Sequence, residues 1–402
     1  MAQWLACPPA PLDLDAEHAA LTLLALELEQ GNRLASPSAA LLDALAPTLQ
    51  EIPRQNAGPR VADTDPFWKW LDVAAVIEFR GDPALAHVVM QRLLLLCTAG
   101  RDPSDPVSRV YRGLCCARLG RIARTVGQGD DARAWYTDAI RLGQDAAASD
   151  PLYQGMLGMA TTAIAAGNFP QAERWLRLLL RGGDAVPAMY RLPAHQQLAM
   201  TSRKRGRWVD ALLESWAAYD LLEPADPREV SLRVTLAEIA CELGAYAEAA
   251  HAVSPVLAVH APTHVLAPAY IVALKIARFA PVHLDEEATT SADVRAAAER
   301  ILNTRIAPTD ETALRLALAD TYEALGEPMT ARRHLSEALV LAERHHLHER
   351  SFAITARLRA SATLTPPPTA PTRPTDGAIN AQRVEQSKAS RRHPAVRRLL
   401  HL

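Results

Sequence analysis

Residues 152–180 read LYQGMLGMATTAIAAGNFPQAERWLRLLL, two amphipathic stretches that meet at Gly167-Asn168-Phe169, with alanine where the two helices must touch. The rest of the chain reads as variations on this hairpin, stacked end to end. The expected fold class is all-α, a right-handed α-α superhelix of about eight helical hairpins. Such a scaffold speaks to how a protein binds rather than to what it binds.

The turn glycines set the period. Gly81, Gly127, Gly167, Gly206, Gly244 and Gly326 are separated by 46, 40, 39, 38 and 82 residues, so one unit lacks its glycine near positions 280–285. A beat of about 40 residues indicates helical repeats. When the turn glycine is numbered fifteenth in its unit, the eighth position is small each time: Ala74, Gly120, Ala160, Ala199, Ala237 and Ala319. The twentieth is always alanine: Ala86, Ala132, Ala172, Ala211, Ala249 and Ala331. Helices that cross at about 8–10 Å leave room only for small side chains at the closest point. Larger residues fill the flanks, with Leu119, Leu198, Leu236 and Leu318 before the small residue and Tyr136, Leu176 and Leu335 one turn after the alanine.

This pattern resembles the tetratricopeptide repeat (TPR) over residues 66–345. The units are longer than the family's usual period of about 34, the early tryptophan appears only as Trp70, and the closing proline is absent or displaced, Pro224 standing one residue late. Longer units of this kind are similar to the TPR regions of bacterial regulators, of the maltose-activator and peptide-sensing quorum types. No separate DNA-binding or ATPase domain is recognisable beside them.

Composition agrees with a helical array. Apolar residues make up 49% of the 402 and aromatics only 5%, which leaves much of the apolar content to alanine, the best helix former. The formal net charge of −2 marks neither a nucleic-acid protein nor a strongly acidic one. The five cysteines (Cys7, Cys97, Cys115, Cys116 and Cys241) have neither zinc-module nor disulfide-framework spacing. The N-terminus MAQWLACPPAPLDLD lacks a basic start and an unbroken apolar core, and no window of about 20 residues is apolar enough to span a bilayer. A cytoplasmic protein is expected.

Residues 1–15 are expected to be irregular and 16–361 to form the solenoid, beginning with a helical pair from Glu17 to Leu49. One irregular unit runs from Thr263 to Ala280. After a long acidic connection its second helix resumes, capped by Ser291. The stretch ERHHLHERSFAITARLRAS adds a final helix that closes the array. Residues 362–402 form a tail, Pro-rich and then basic, expected to be disordered in isolation.

No phosphate-cradling glycine loop, GxSxG elbow or HExxH is present, so neither an enzyme nor a cofactor is expected. His345, His346 and His348 diverge by about 100° per residue on a helix and are not expected to bind metal. Cys116 falls on a buried position, where a thiol acts as a small apolar side chain.

The resemblance places the ligand-binding wall on the first helix of each hairpin. Carried over to this chain, the third, fourth and fifth units present Arg121, Arg124, Gln154, Thr161, Gln196, Arg203 and Lys204. The sixth and eighth present Glu238, Glu242, Asp320 and Glu323, which makes a wall that is basic in the middle and acidic toward the C-terminal end. It implies a partner protein or peptide in the groove, oriented by charge. The absence of asparagines from these helices argues against recognition of a chaperone's acidic C-terminus. The tail sets seven basic residues against two acidic ones. Arg391, Arg392, Arg397 and Arg398 are its candidate contacts, to nucleic acid in the alternative reading.

Overall fold

The computed structural model describes residues 66–79, 82–98, 102, 104–259, 261–280, 290–304, 306–363 and 393–402. Among them every regular element is helical. In chain order these are α1 (Pro66–Phe79), α2 (Pro83–Thr98), α3 (Pro106–Thr125), α4 (Gly129–Asp145), α5 (Ser149–Ala165), α6 (Phe169–Leu180), α7 (Ala188–Lys204) and α8 (Trp208–Tyr219). They are followed by α9 (Arg228–Glu242), α10 (Tyr246–Ala258), α11 (Thr263–Phe279), α12 (Ser291–Leu302), α13 (Pro308–Ala324), α14 (Pro328–Arg344), α15 (His348–Thr363) and α16 (Pro394–Arg397). Short 3-10 turns occupy Gly183–Ala185 and Arg398–His401. The helices pair as hairpins α1/α2, α3/α4 and α5/α6, and further along the chain as α9/α10, α11/α12 and α13/α14. The expected pair at Glu17–Leu49 lies outside the described residues.

The hairpin turns follow from local chemistry. At the end of α5, Gly167 has φ 73°, a left-handed conformation that glycine adopts without a Cβ penalty. The Asn168 N–H then donates to Ala163 O at 2.8 Å and the Gly167 N–H to Ile164 O at 3.0 Å, which closes the helix end. The Asn168 side chain accepts from Gln171 N and so opens α6. Gly127, Gly206, Gly244 and Gly326 share the positive φ. Gly81 lies outside the described residues.

The turns between hairpins use the same region without glycine. Ala147 (φ 49°), Ala225 (φ 62°) and His346 (φ 54°) carry a Cβ where L residues are disfavoured by about 1–2 kcal/mol. Ala147→Gly is therefore expected to stabilise residues 66–201 by up to about 1 kcal/mol, after allowing for the entropy glycine adds to the unfolded chain. Urea denaturation of the variant checks this, and a lower midpoint would contradict it.

Contacts divide the chain into two compact units, and the division falls in the sequence between Thr201 and Ser202. In the first, α3 packs on α4 and α5, and α5 on α6. The small positions do what their spacing predicts: Ala74, Ala86, Ala132, Ala160 and Ala172 are fully buried. Tyr136 of α4 fills a slot between Gly120 of α3 and Gly158 of α5. Any Cβ at Gly158 would lie 2.1 Å from the Tyr136 ring.

In the second unit the first helices touch from hairpin to hairpin, α9 on α11 and α11 on α13, and α10 packs on α11. Ala211, Ala237, Ala249 and Ala319 are fully buried, and Ala331 nearly so. The unit without a glycine keeps its hairpin. Its second helix is capped by Thr290 rather than Ser291, because Thr290 and Asp293 form a reciprocal capping box. The closing helix is α15.

The expectation for the tail needs correction at its far end. Residues 364–392 lie outside the described residues, but 393–402 form α16 and a 3-10 turn packed on α8 and α10, with Val396 and Leu399 fully buried. Composition averaged over the tail hides Ala395, Val396 and Leu399, whose spacing puts them on one helical face.

Candidate functional site

In the first unit the first helices carry a buried charge cluster. Glu78 of α1, on the twelfth position of its unit, receives Arg121 Nε at 2.6 Å and Arg118 Nη1 at 3.3 Å from α3. Burial, the largest single influence, pushes the Glu78 carboxyl up, but Arg121, Arg118 and Arg124 together outweigh it and hold its pKa below the ordinary value. Arg118 is pushed down to about 10, first by burial and then by Arg121. Burial pushes the Tyr136 hydroxyl pKa up, and Arg124 offsets only part of that rise.

The other wall candidates of this unit have partners too. Gln154 joins Tyr190, whose hydroxyl donates to Asp150 at 2.7 Å. The Thr161 hydroxyl donates to Leu157 O at 2.8 Å, one turn back on its own helix. Gln196, half-buried on α7, also has an interaction partner.

The second unit carries its charges in rows. Arg203, at the end of α7, pairs with Glu238 of α9. One turn on, Glu242 accepts Lys275 Nζ of α11 at 2.5 Å. Arg278 of α11 lies 3.8 Å from Asp320 of α13. Asp320 and Glu323 then share Arg357 of α15, at 2.7 and 2.9 Å. Successive first helices are thus basic, acidic, basic, acidic and basic. The paired side chains remain between 27% and 44% exposed. Lys204 is exposed beside the first row.

This corrects the sequence-based picture of a wall that turns from basic to acidic toward the C-terminal end. Lys275, Arg278 and Arg357 were missed for a definite reason. The unit of α11 has no turn glycine to count from, and α15 was read only as a closing helix. With Leu274 as the eighth residue, Lys275 and Arg278 fall on the ninth and twelfth positions, those of Asp320 and Glu323, so the register could have been carried through.

Of the tail candidates, Arg397 is exposed on α16 and Arg391 and Arg392 lie outside the described residues. Arg398 points into the protein's own surface, where Nη1 meets Asp220 Oδ2 at 2.9 Å and Nη2 meets Oδ1. Cys116 is buried as expected, its thiol pushed up to about 12, first by burial. Among the described residues no three His, Cys, Asp or Glu side chains come together to hold a metal, and no helix is long and apolar enough to cross a membrane.

No family model matches the sequence, and no curated protein matches it significantly. Solved structures do match. The apo form of the quorum sensor NprR from B. thuringiensis superposes with a TM-score of 0.53 at 12% identity, over 83% of this chain and 89% of that one. The fold is a TPR-type helical solenoid. The apo form of RapI gives 0.48 at 9% identity, over 73% of this chain and 99% of that one. A Rap protein complexed with competence and sporulation factor gives 0.44 at 12%, over 94% and 90%.

Proposed function

We propose that the chain is a non-catalytic regulatory sensor or adaptor that binds an extended peptide across the first-helix rows of residues 202–402. The observation that carries this reading is the alternation of sign from helix to helix among half-exposed ion pairs. Such pairs contribute only about 0–1 kcal/mol each, so an incoming charge can replace a partner at small cost. Helices packed about 8–10 Å apart face a strand that advances about 3.3 Å per residue. A peptide lying across them meets a new row at every third residue. The ligand class is therefore a peptide whose charges alternate in sign at that spacing, with Arg203 and Lys204 gripping its carboxylates. Arg121, Arg124, Gln154, Thr161 and Gln196 offer a separate polar face on the first unit, with Arg121 already held by Glu78. The fold shared with a quorum sensor supports ligand-controlled regulation. Contact with nucleic acid through the tail gains no support, since Arg398 is engaged by Asp220.

Affinity capture from the native host followed by mass spectrometry tests the proposal. The wild-type chain is expected to retain a peptide or partner segment, and a chain carrying Arg203→Glu and Lys204→Glu is expected to lose it while keeping its helical circular dichroism. Equal recovery of the same species by both chains would overturn the reading.

A further inference from the structure

The docked segment His393–Leu402 occupies a cleft on the side of the second helices, unrelated to the charged rows. Trp216 of α8 anchors it three ways. Its Nε1 donates to Ala395 O at 2.8 Å. Its ring lies under the Arg398 guanidinium, 4.3 Å from the ring centre. It also belongs to the apolar cluster, including Val253 and Val256 of α10, that buries Val396 and Leu399. Asp220, just beyond α8, takes Arg398 in a forked pair, and Arg233 Nη2 of α9 donates to Leu402 O at 2.7 Å. The segment itself is capped by His393, which accepts from Ala395 N.

One feature distinguishes this contact from a permanent part of the core. The forked ion pair is nearly half exposed, which makes it weak and salt-sensitive. Two apolar anchors one turn apart, an arginine between them and a backbone carbonyl on an indole N–H form the pattern by which a groove reads a short amphipathic helix.

We infer that the cleft formed by Trp216, Asp220 and Arg233 is a recognition site for a short amphipathic helix, and that residues 393–402 are its tethered, exchangeable occupant. The preferred ligand repeats the V-x-R-L arrangement of Val396–Leu399. Held on the same chain, the resident segment competes at an effective concentration of about 1 mM, so a ligand in trans sees the site only when the segment is out.

A fluorescently labelled synthetic peptide of residues 393–402, titrated against the full chain by anisotropy, tests this. The chain carrying Val396→Asp and Leu399→Asp, which empties the cleft without altering it, is expected to bind the peptide about 100-fold more tightly than wild type. Arg398→Glu, a milder exposed change that preserves the buried anchors, is expected to give about tenfold. Trp216→Ala in the emptied chain is expected to abolish binding. If wild type and both segment variants bind the peptide equally, or none binds it, the segment is a fixed structural element and the inference fails.

Discussion

Replacing Glu78 with alanine is expected to cost the first unit about 3–5 kcal/mol, because it removes a buried carboxylate that meets two arginines. Glu78 and Arg118 are almost wholly buried, and Arg121 is only 16% exposed. Once the carboxylate is gone, Arg118 and Arg121 repel one another where water cannot screen them. Glu78→Gln keeps the shape and removes the charge, so it separates packing from electrostatics and should retain most of the loss. The pH dependence has a definite sign. The folded pKa of Glu78 lies below its ordinary 4.5, so its contribution is present above that value and is lost as pH falls through the folded pKa. Urea denaturation of wild type should therefore show stability declining on acidification below about 4.5, and Glu78→Gln should lack that part of the decline. A Glu78→Gln chain as stable as wild type at neutral pH would show that the cluster is held by other contacts.

Gly158→Ala is expected to destabilise the same unit by about 2 kcal/mol, although alanine is the better helix former by about 1 kcal/mol. The added Cβ would sit 2.1 Å from Tyr136 Cε1 and 2.3 Å from Cζ, and the ring cannot retreat because Gly120 already lets α3 press on its other side. A double-mutant cycle makes the point by sign. With Tyr136→Ala in place the clash is gone, and Gly158→Ala should become neutral or stabilising by up to about 1 kcal/mol. Destabilisation of equal size in both backgrounds would mean that the glycine serves the helix rather than the slot.

These two expectations show what the sequence made legible. The fold could be read because it rests on a local rule: small residues recur where helices approach, and Ala86, Ala132, Ala172, Ala211 and Ala249 are all fully buried. Tyr136, expected where a second helix meets the next hairpin, stands there against Gly158. The candidate wall was only half legible. Residues were assigned to it by register, but their pairing was not foreseen, because Arg203 with Glu238 and Arg357 with Asp320 join residues a full repeat apart. The docked segment was hidden by a larger separation: Trp216 and Ala395 are 179 positions apart, and no periodicity links them.

The alternating rows are the centre of the functional account, and titration calorimetry of the captured peptide tests them most directly. The account predicts binding to wild type that weakens as salt is raised and falls at least tenfold in the chain carrying Arg203→Glu and Lys204→Glu. It also predicts partial recovery when the peptide's matching acidic residue is changed to lysine. Affinity that is indifferent both to salt and to the charge reversal would contradict it.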